Sequence, residues 1–210
     1  MDINKRSTEM KDFFNRVVDI DYDERHSKLM KGKERLIDFL PKNINRIMDL
    51  GSGTGLQLIK LYKEYPNVKT IAIDISDGML KKLKERNLSD NIEIVNKSYF
   101  DYDFGNGIND AVMSTQSLHH FNIEDKTRLY QKVYDSLKEA GVFVNEDYFV
   151  FTDEEEKEKM NDYIQQEKGP EAHYDTPLTM NHEMEILRSV GFNEIEKEIT
   201  DDYKIIIARK

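Results

Sequence analysis

Short apolar runs alternate with amphipathic segments along most of the chain. Five runs rich in β-branched residues are predicted to form strands: 46–50, 69–75, 92–95, 110–115 and 141–146. Between them, segments 56–65, 78–86 and 126–140 carry apolar residues at helical spacing, and Gly141 stands where the C-cap of the third helix is expected. Strands and helices that alternate in this way form parallel crossover units. The pattern predicts an α/β fold with a doubly wound, mostly parallel sheet and helices on both faces.

The last part of the chain departs from this alternation. A helical segment, HEMEILRSV, stops at Gly191, and FNEIEKEIT then runs through DDY into KIIIAR. Two strands joined by so short a turn form a hairpin, so the last strand should be antiparallel inside or beside the parallel sheet. This hairpin brings the predicted sheet to seven strands.

Two segments lie outside the core pattern. Residues 7–20 carry an apolar stripe at helical spacing: Met10, Phe13, Phe14, Val17 and Val18. This helix either packs on the sheet edge or covers a bound ligand. The second segment, 148–180, is rich in aromatic residues and contains a helix start at Thr152 and Glu155, which have capping-box spacing. We predict a single domain, 1–210, with an N-terminal helical cap over about 1–40 and a lid insertion over about 148–180.

Composition limits the partners of this chain. Its 210 residues include 31 basic and 41 acidic ones, a net charge of −10, which makes a nucleic acid an unlikely partner. The chain has no cysteine, and it shows neither a signal-peptide pattern nor an apolar stretch of about 18 residues. We therefore expect a cytoplasmic protein with no membrane association. Its oligomeric state is left open.

The segment IMDLGSGTG, residues 47–55, holds the strongest chemical signal. Gly51, Gly53 and Gly55 follow the first predicted strand and precede a helix, at the sheet edge where this architecture binds ligands. Asp74 ends the second strand and can accept hydrogen bonds from both hydroxyls of a ribose. Together these residues predict a nucleoside site.

Two cofactor classes use such a site. A dinucleotide fingerprint requires G-x-G-x-x-G, but here the third glycine comes one position earlier and Leu56 occupies its place. Asp49 precedes the turn, where its charge would repel a pyrophosphate but suit the ammonium group of a methionine moiety. Spacing and charge therefore favour an aminoacyl nucleoside.

The sequence resembles the class I S-adenosylmethionine-dependent methyltransferases, specifically their small-molecule branch. IMDLGSGTG is similar to the first motif of that family, IAIDIS to its ribose-binding strand, and NDAVMSTQSLHHF to its fourth strand and following loop. LKEAGVFVNED resembles the next helix, turn and strand, and LRSVGFNEIE with KIIIARK resembles the terminal helix and hairpin. The resemblance implies a Rossmann-like methyltransferase fold and S-adenosylmethionine as cofactor.

Site residues follow from the resemblance position by position. It implies that Gly51 and Gly53 lie under the methionine part, Asp49 near its amine, Asp74 on the ribose hydroxyls and Ile75 against adenine. The expected cofactor contacts also include Gly55, Ser98, Tyr99 and Thr115. Many relatives have Gly-Asp after the third strand, with the Asp on the adenine amino group, whereas this chain has Lys97-Ser98. Either Ser98 or Asp101 is a candidate for that contact.

Methyl transfer from a sulfonium needs alignment, exclusion of water and, for a protonated acceptor, a base. His119 is the first acid–base candidate, although His119 and His120 could instead be a loop residue and a packed one. The further acid–base candidates are His26, His173, Tyr22 and Glu146. The expected substrate contacts are Tyr22, His26, Tyr148, His173 and Tyr174. Glu146 and Asp147 could equally form a solvated strand end, and we predict no metal site.

We therefore expect a methyltransferase that acts on a small-molecule acceptor. A dinucleotide-dependent oxidoreductase is the alternative enzyme, opposed by the glycine spacing and the C-terminal hairpin. A non-catalytic nucleoside-binding or regulatory module of the same fold is the alternative from another class. Turnover of S-adenosylmethionine to S-adenosylhomocysteine separates an enzyme from a binding module.

Overall fold

A computed structural model describes residues 3–18, 22–24, 32–165 and 175–210. The five predicted strands are confirmed as β1 (Arg46–Leu50), β2 (Lys69–Asp74), β3 (Ile92–Asn96), β4 (Asn109–Thr115) and β5 (Leu137–Glu146). The predicted hairpin is confirmed as β6 (Glu194–Ile199) and β7 (Lys204–Arg209). Within the described chain no helix is long and apolar enough to cross a membrane.

All seven strands form one sheet in the order β3-β2-β1-β4-β5-β7-β6. β1 to β5 pair in parallel, with Met48 opposite Ile71 on one side and Val112 on the other. β7 is antiparallel to β5, where Val144 pairs with Ile207, and β6 is antiparallel to β7. The strand order reverses between β1 and β4, so the carboxyl ends of these strands border the crevice in which such sheets bind ligands.

The described chain contains six α-helices of 9 residues or more: α1 (Ile3–Val17), α2 (Leu56–Glu64), α3 (Asp77–Arg86), α4 (Ile123–Ser136), α5 (Asp153–Gln165) and α6 (Met180–Ser189). Alternate strand residues face opposite sides, so Met48 and Ile73 belong to the core beneath α4 and α6. Ile47 and Ala72 belong to the core beneath α2, α3 and a short 3-10 helix, Lys33–Phe39. Helices therefore cover both faces, as the hydrophobic pattern predicts.

The C-terminal end predicted for the helix over 126–140, which is α4 in the structure, is wrong. The helix stops at Ser136 and not at 140, because Leu137 takes an extended conformation, pairs with Asn109 and is fully buried. Gly141 lies inside β5 and caps no helix, while Ala140 before it has the positive φ of 62°. The Lys210 ammonium donates hydrogen bonds to the carbonyl groups of Tyr134 and Leu137 at the helix end, at 2.8 and 2.9 Å.

The insertion is partly helical. The predicted capping box is confirmed, since the Glu155 N–H donates to Thr152 Oγ1 at 3.2 Å and the Thr152 N–H donates to the Glu155 carboxylate at 3.3 Å. Met10 of α1 and Tyr163 of α5 are both buried and share one small apolar cluster. The N-terminal helix and the insertion are therefore packed together. Their roles as cap and lid stay predictions.

Candidate active site

The glycine turn leaves β1 and enters α2 with three left-handed residues. Gly51, Gly53 and Gly55 have φ values of 76°, 53° and 80°, which side-chain-bearing residues rarely adopt. A β-carbon on Gly51 would lie 2.1 Å from Ser117 Oγ, and one on Gly55 would lie 2.3 Å from Leu83 Cδ1. Only Gly53 faces open space. Close approach of a ligand can therefore explain why position 53 is a glycine. At positions 51 and 55, neighbouring protein atoms already exclude a side chain.

Asp74 connects the turn to the end of β2. Its carboxylate accepts the backbone N–H of Gly53 and that of Ser76, both at 2.8 Å. Burial raises the pKa of Asp74, although these backbone N–H groups partly offset the effect. Asp74 is not the cap of the next helix, because Ser76 occupies that position and accepts from the Met79 N–H at 3.2 Å. Each carboxylate oxygen has a second lone pair with which to accept from a ligand.

Asp49 lies beneath the turn and is 2% exposed. Burial raises its pKa to about 7, and the nearby charge of Asp74 acts in the same direction, while hydrogen bonding from Ser52 lowers it. A carboxylate with this pKa is stabilised by a cation brought against it.

Two adjoining cavities of about 220 and 60 Å³ lie at the carboxyl ends of the strands. Both are lined by Phe14, Gly51, Asp74, Ser117 and His120. The larger cavity also contains Asp49, Gly53, Thr115 and His119. The smaller one contains Ile75, Ser98 and Tyr99, whereas Asp101 is exposed and lines neither cavity. The structure thus brings Ser98, and not Asp101, to the expected adenine end.

Two polar side chains that line the larger cavity have buried atoms without a hydrogen-bond partner among the described residues. Neither amide atom of Gln57 has a hydrogen-bond partner among the described residues, and the same holds for the Thr115 hydroxyl. Gln57 is 6% exposed and lies in the first turn of α2. An unpaired buried polar group is costly, so a bound ligand that pairs with it gains affinity. The sequence pattern did not single out Gln57, because its spacing is that of an ordinary amphipathic helix.

His119 is held by a carboxylate directly after β5. His119 lies in a 3-10 turn, Leu118–His120, and its Nδ1 is 2.5 Å from Asp147 Oδ1. Asp147 also accepts the backbone N–H groups of Leu118 and Tyr148, at 3.0 and 2.9 Å. Burial opposes ionisation of Asp147, but the charge and hydrogen bond of His119 outweigh it and hold the Asp147 pKa below its usual value.

The alternative of a solvated strand end is wrong for both acidic residues. Asp147 is 3% exposed and Glu146 is 1% exposed. The Glu146 carboxylate accepts from the Gln116 amide at 3.2 Å, beside the larger cavity. Glu146 itself does not line the two cavities but faces a third, next to the β6–β7 hairpin.

The comparisons with known proteins agree with this geometry. A family model described as a methyltransferase domain matches residues 47–141. The chain is 30% identical over 172 residues to a carboxy-S-adenosyl-L-methionine synthase from Nautilia profundicola, a match that covers 72% of this chain and 71% of that protein. It belongs to the class I S-adenosylmethionine-dependent methyltransferases. The cofactor of this methyltransferase is therefore S-adenosylmethionine.

Two further similarities support the assignment. The methyltransferase is 26% identical to phosphoethanolamine N-methyltransferase from Plasmodium falciparum, over 80% of this chain and 62% of that protein. The structure of human N-acetylserotonin methyltransferase in complex with SAM superimposes with a TM-score of 0.65 at 20% identity. That superposition covers 86% of this chain and 51% of the human one, and it shows the shared fold.

The N-terminal helix of the methyltransferase contributes to the lining of the two cavities. Phe14 lies in the lining of both, and its ring centroid is 5.7 Å from that of His120. Asn15 Oδ1 accepts the Gly78 N–H at 3.0 Å, which attaches the end of α1 to the start of α3. The helix thus lies beside the cavities, and a role as cover over the ligand stays a prediction.

The predicted substrate residues are only partly brought together. Tyr22 lines the larger cavity, and burial, with Asp74 and Asp23, raises its pKa. Tyr148 is 36% exposed and lines the third cavity, but its ring lies edge-on to His119 with centroids 5.9 Å apart. His26, His173 and Tyr174 lie outside the described residues.

A buried ion pair lies behind the His119–Asp147 pair. Lys126 of α4 and Glu183 of α6 are 1% and 0% exposed, and their charged atoms are 2.8 Å apart. The Tyr130 hydroxyl donates to the other oxygen of Glu183. The charge of Lys126 also helps to lower the Asp147 pKa. Charges buried as completely as these destabilise the fold when one partner is removed.

Proposed function

We propose that this methyltransferase transfers a methyl group from S-adenosylmethionine to a small-molecule acceptor. One observation carries the proposal: the cavity that contains the glycine turn and Asp49 also contains His119, held by Asp147. One cavity thus offers groups for a cofactor and a nitrogen base for an acceptor.

The cofactor would lie across both cavities. In the proposed arrangement Asp49 accepts from the methionine ammonium, Asp74 accepts from the ribose hydroxyls, and Gly53 leaves room for the methionine part. Ile75, Ser98 and Tyr99 line the smaller cavity, which has the apolar character that adenine needs. The unsatisfied atoms of Gln57 and Thr115 would gain hydrogen bonds from the bound cofactor.

The reaction would be an in-line displacement at the methyl carbon. An acceptor atom forms a bond to that carbon while the carbon–sulfur bond breaks and its electron pair stays on sulfur, giving S-adenosylhomocysteine. Positive charge disperses as the sulfonium is neutralised, so exclusion of water by α1 favours the step. His119 is the proposed catalytic residue: in the tautomer whose Nδ1 donates to Asp147, Nε2 carries the lone pair that would activate the attacking group.

A small molecule suits this site better than a nucleic acid. No lysine or arginine lines the two cavities among the described residues, and the whole chain carries a net charge of −10. Binding to phosphate backbones depends on such cations. Filter binding to bulk tRNA at physiological salt should be weak, and tight binding with a steep salt dependence would contradict the proposal.

The Nautilia relative suggests a second candidate function, formation of carboxy-S-adenosylmethionine. Its product would carry a carboxylate next to the sulfonium, and a buried carboxylate needs a positive partner or hydrogen-bond donors. The described lining offers the carboxylates Asp49 and Asp74 but no lysine or arginine. This lining favours methyl transfer.

One experiment separates these candidates. The purified full chain is incubated with S-adenosylmethionine and a metabolite extract, and the products are identified by mass spectrometry. Methyl transfer yields S-adenosylhomocysteine and a methylated metabolite, whereas the second candidate yields a cofactor heavier by one carbon dioxide. The variant His119→Asn should bind S-adenosylhomocysteine with unchanged affinity and lose most turnover. If neither product exceeds that of a heat-treated control while S-adenosylhomocysteine binds, the chain is a binding module.

A further inference from the structure

Three potential metal ligands meet at the acceptor side of the larger cavity. His119 Nε2 lies 3.5 Å from Asp175 Oδ1, and His120 Nδ1 lies 3.1 Å from the same oxygen. One ligand atom from each of the three residues lies within 4.8 Å of the others. Both histidines are buried and both line the cavity, whereas Asp175 belongs to the insertion.

The hydrogen bond to Asp147 decides what His119 presents to Asp175. Asp147 already accepts the backbone N–H groups of Leu118 and Tyr148, and a carboxylate oxygen only accepts, so His119 Nδ1, 2.5 Å from Asp147 Oδ1, is the ring nitrogen that donates to it. A neutral imidazole then has a lone pair at Nε2. That lone pair faces a carboxylate oxygen, and two electron-rich atoms in this position repel each other unless a positive charge lies between them. A second proton on His119 or a metal ion would supply that charge.

Two of the distances among the three ligand atoms fit a metal ion. With metal–ligand bonds of about 2.1 Å, neighbouring ligand atoms are about 3.0 Å apart in octahedral and about 3.4 Å apart in tetrahedral geometry. The two distances to Asp175 Oδ1, 3.1 and 3.5 Å, lie close to these values. A distance of 3.5 Å is, in contrast, long for a hydrogen bond between nitrogen and oxygen.

We propose that His119, His120 and Asp175 bind one divalent transition-metal ion, with Asp147 as the residue that orients His119. Two imidazoles and one carboxylate suit Zn²⁺, Fe²⁺, Co²⁺ or Ni²⁺ better than Mg²⁺ or Ca²⁺, which prefer oxygen ligands. A carboxylate that holds the far side of a ligating histidine is the usual second partner of such a site. Three protein ligands leave coordination positions on the side of the cavity.

This inference rests on the proposed function and names its acceptor class. A metal ion beside the transferred methyl group would bind an acceptor through an oxygen or nitrogen atom and favour the deprotonated form of that atom. The acceptor therefore carries a metal-binding group, such as a hydroxyl, at the position that is methylated. The proton of that group passes to solvent when the ion binds the acceptor, so with the ion present His119 holds the ion, and the ion replaces Nε2 as the group that activates the acceptor.

Cobalt binding to the full chain tests the site without any turnover. The chain is treated with EDTA, dialysed and titrated with Co²⁺ while its visible absorption is recorded. We expect saturation at one equivalent. Asp175→Asn should weaken binding by more than about 100-fold, since even loss of an orienting partner costs about 10- to 100-fold, the range expected for Asp147→Asn.

His182→Asn is the matched control, because His182 forms a pair with Glu156 at 2.8 Å but belongs to no group of three potential metal ligands among the described residues. It should bind Co²⁺ like the unaltered chain. Equal Co²⁺ affinity of Asp175→Asn and the unaltered chain, or the same loss in His182→Asn, would overturn the proposal.

Nuclear magnetic resonance of the unaltered Co²⁺ complex keeps the test decisive if a variant fails to fold. Two strongly shifted, exchangeable imidazole N–H signals are expected from the two ligating histidines, and none should appear if His119 is simply doubly protonated. Titration with S-adenosylhomocysteine is run on the same metal-free sample. Failure of that titration refutes the proposed function, whereas failure of Co²⁺ binding refutes only the metal site.

Discussion

Replacing Asp49 with asparagine should stabilise the cofactor-free protein above neutral pH and weaken cofactor binding at the same time. The carboxyl of Asp49 is 2% exposed, and its pKa is raised from 3.8 to about 7, mainly by burial. Asparagine has nearly the same shape but cannot ionise. The substitution therefore isolates the energetic cost of the buried charge.

The sign and size of the effect follow from linkage. Between pH 3.8 and about 7 the folded protein keeps a proton on Asp49 that the unfolded chain has lost. The free energy of unfolding of the unaltered protein therefore falls as the pH rises through this range, and the contribution levels off above it. At about 1.4 kcal/mol per pKa unit, the loss is about 4 kcal/mol. The variant lacks this loss, so the difference between its free energy of unfolding and that of the unaltered protein should grow from pH 4 to pH 7.

Cofactor binding should change in the opposite direction. Loss of a charge-assisted hydrogen bond to the methionine ammonium costs about 1.5–3 kcal/mol, which corresponds to about 10- to 150-fold weaker binding. In the unaltered protein, the affinity for S-adenosylhomocysteine should also fall below pH 7, by up to tenfold per pH unit, because the carboxyl must first lose its proton.

Urea unfolding followed by circular dichroism at several pH values, with calorimetric titration of S-adenosylhomocysteine at pH 8, measures both effects. Asp110→Asn is the control, and it should change the pH dependence of the free energy of unfolding in the opposite direction. Burial opposes ionisation of Asp110, but Lys138 and two backbone N–H groups outweigh it and lower its pKa, so the stability it contributes at neutral pH is lost in acid. Stability profiles of Asp49→Asn and the unaltered protein that stay parallel from pH 5 to 8, or undiminished cofactor affinity, would refute the reasoning.

Four further substitutions test the site and its surroundings. Gly53→Ala and Gly107→Ala both place a β-carbon at positive φ with no atom within 4 Å. Urea unfolding should therefore show a similar loss of about 1–2 kcal/mol in the free energy of unfolding for both variants. Only Gly53→Ala should weaken S-adenosylhomocysteine binding. Lys126→Met leaves the Glu183 carboxylate buried without its cation, and urea unfolding should show a loss of about 3–5 kcal/mol; a loss below about 1 kcal/mol would mean that the pair is not buried in solution. Asp74→Ala should weaken S-adenosylhomocysteine binding by about 1–3 kcal/mol in calorimetry, and preferential binding of NAD would reverse the cofactor assignment.

Local sequence signals predicted the framework of the site well. The alternation of strands and helices, the hairpin and the capping box at Thr152 and Glu155 each depend on residues close together in the chain. The position of the glycine turn depends on the same kind of signal, because a strand, a turn and a helix follow one another within 20 residues. The predicted helix end at 140 failed because Leu137 gains more from burial and pairing with Asn109 than from another helical turn.

The cluster of His119, Asp147 and Asp175 was harder to predict, because its residues come from distant segments. His119 was singled out from its place after β4, but nothing local shows that Asp147, 28 residues later, is buried against it. Asp175 lies farther still along the chain and meets both histidines only because the insertion folds back over the sheet. The sequence prediction of no metal site and the proposal of one at these residues are tested against each other by the Co²⁺ titration.

The sequence by itself determined the fold, the position of the ligand crevice and the cofactor class, since periodicity, glycine spacing and an acidic strand end are encoded within short segments. The tertiary structure alone decided which candidates share a cavity and which are buried. It brought Ser98 rather than Asp101 to the smaller cavity and left the Gln57 amide without a hydrogen-bond partner among the described residues. It also placed Ser117 so close to Gly51 that a β-carbon would not fit there. Parallel strands place residues far apart in sequence at one sheet edge, and burial depends on every segment that packs there, which no single segment encodes.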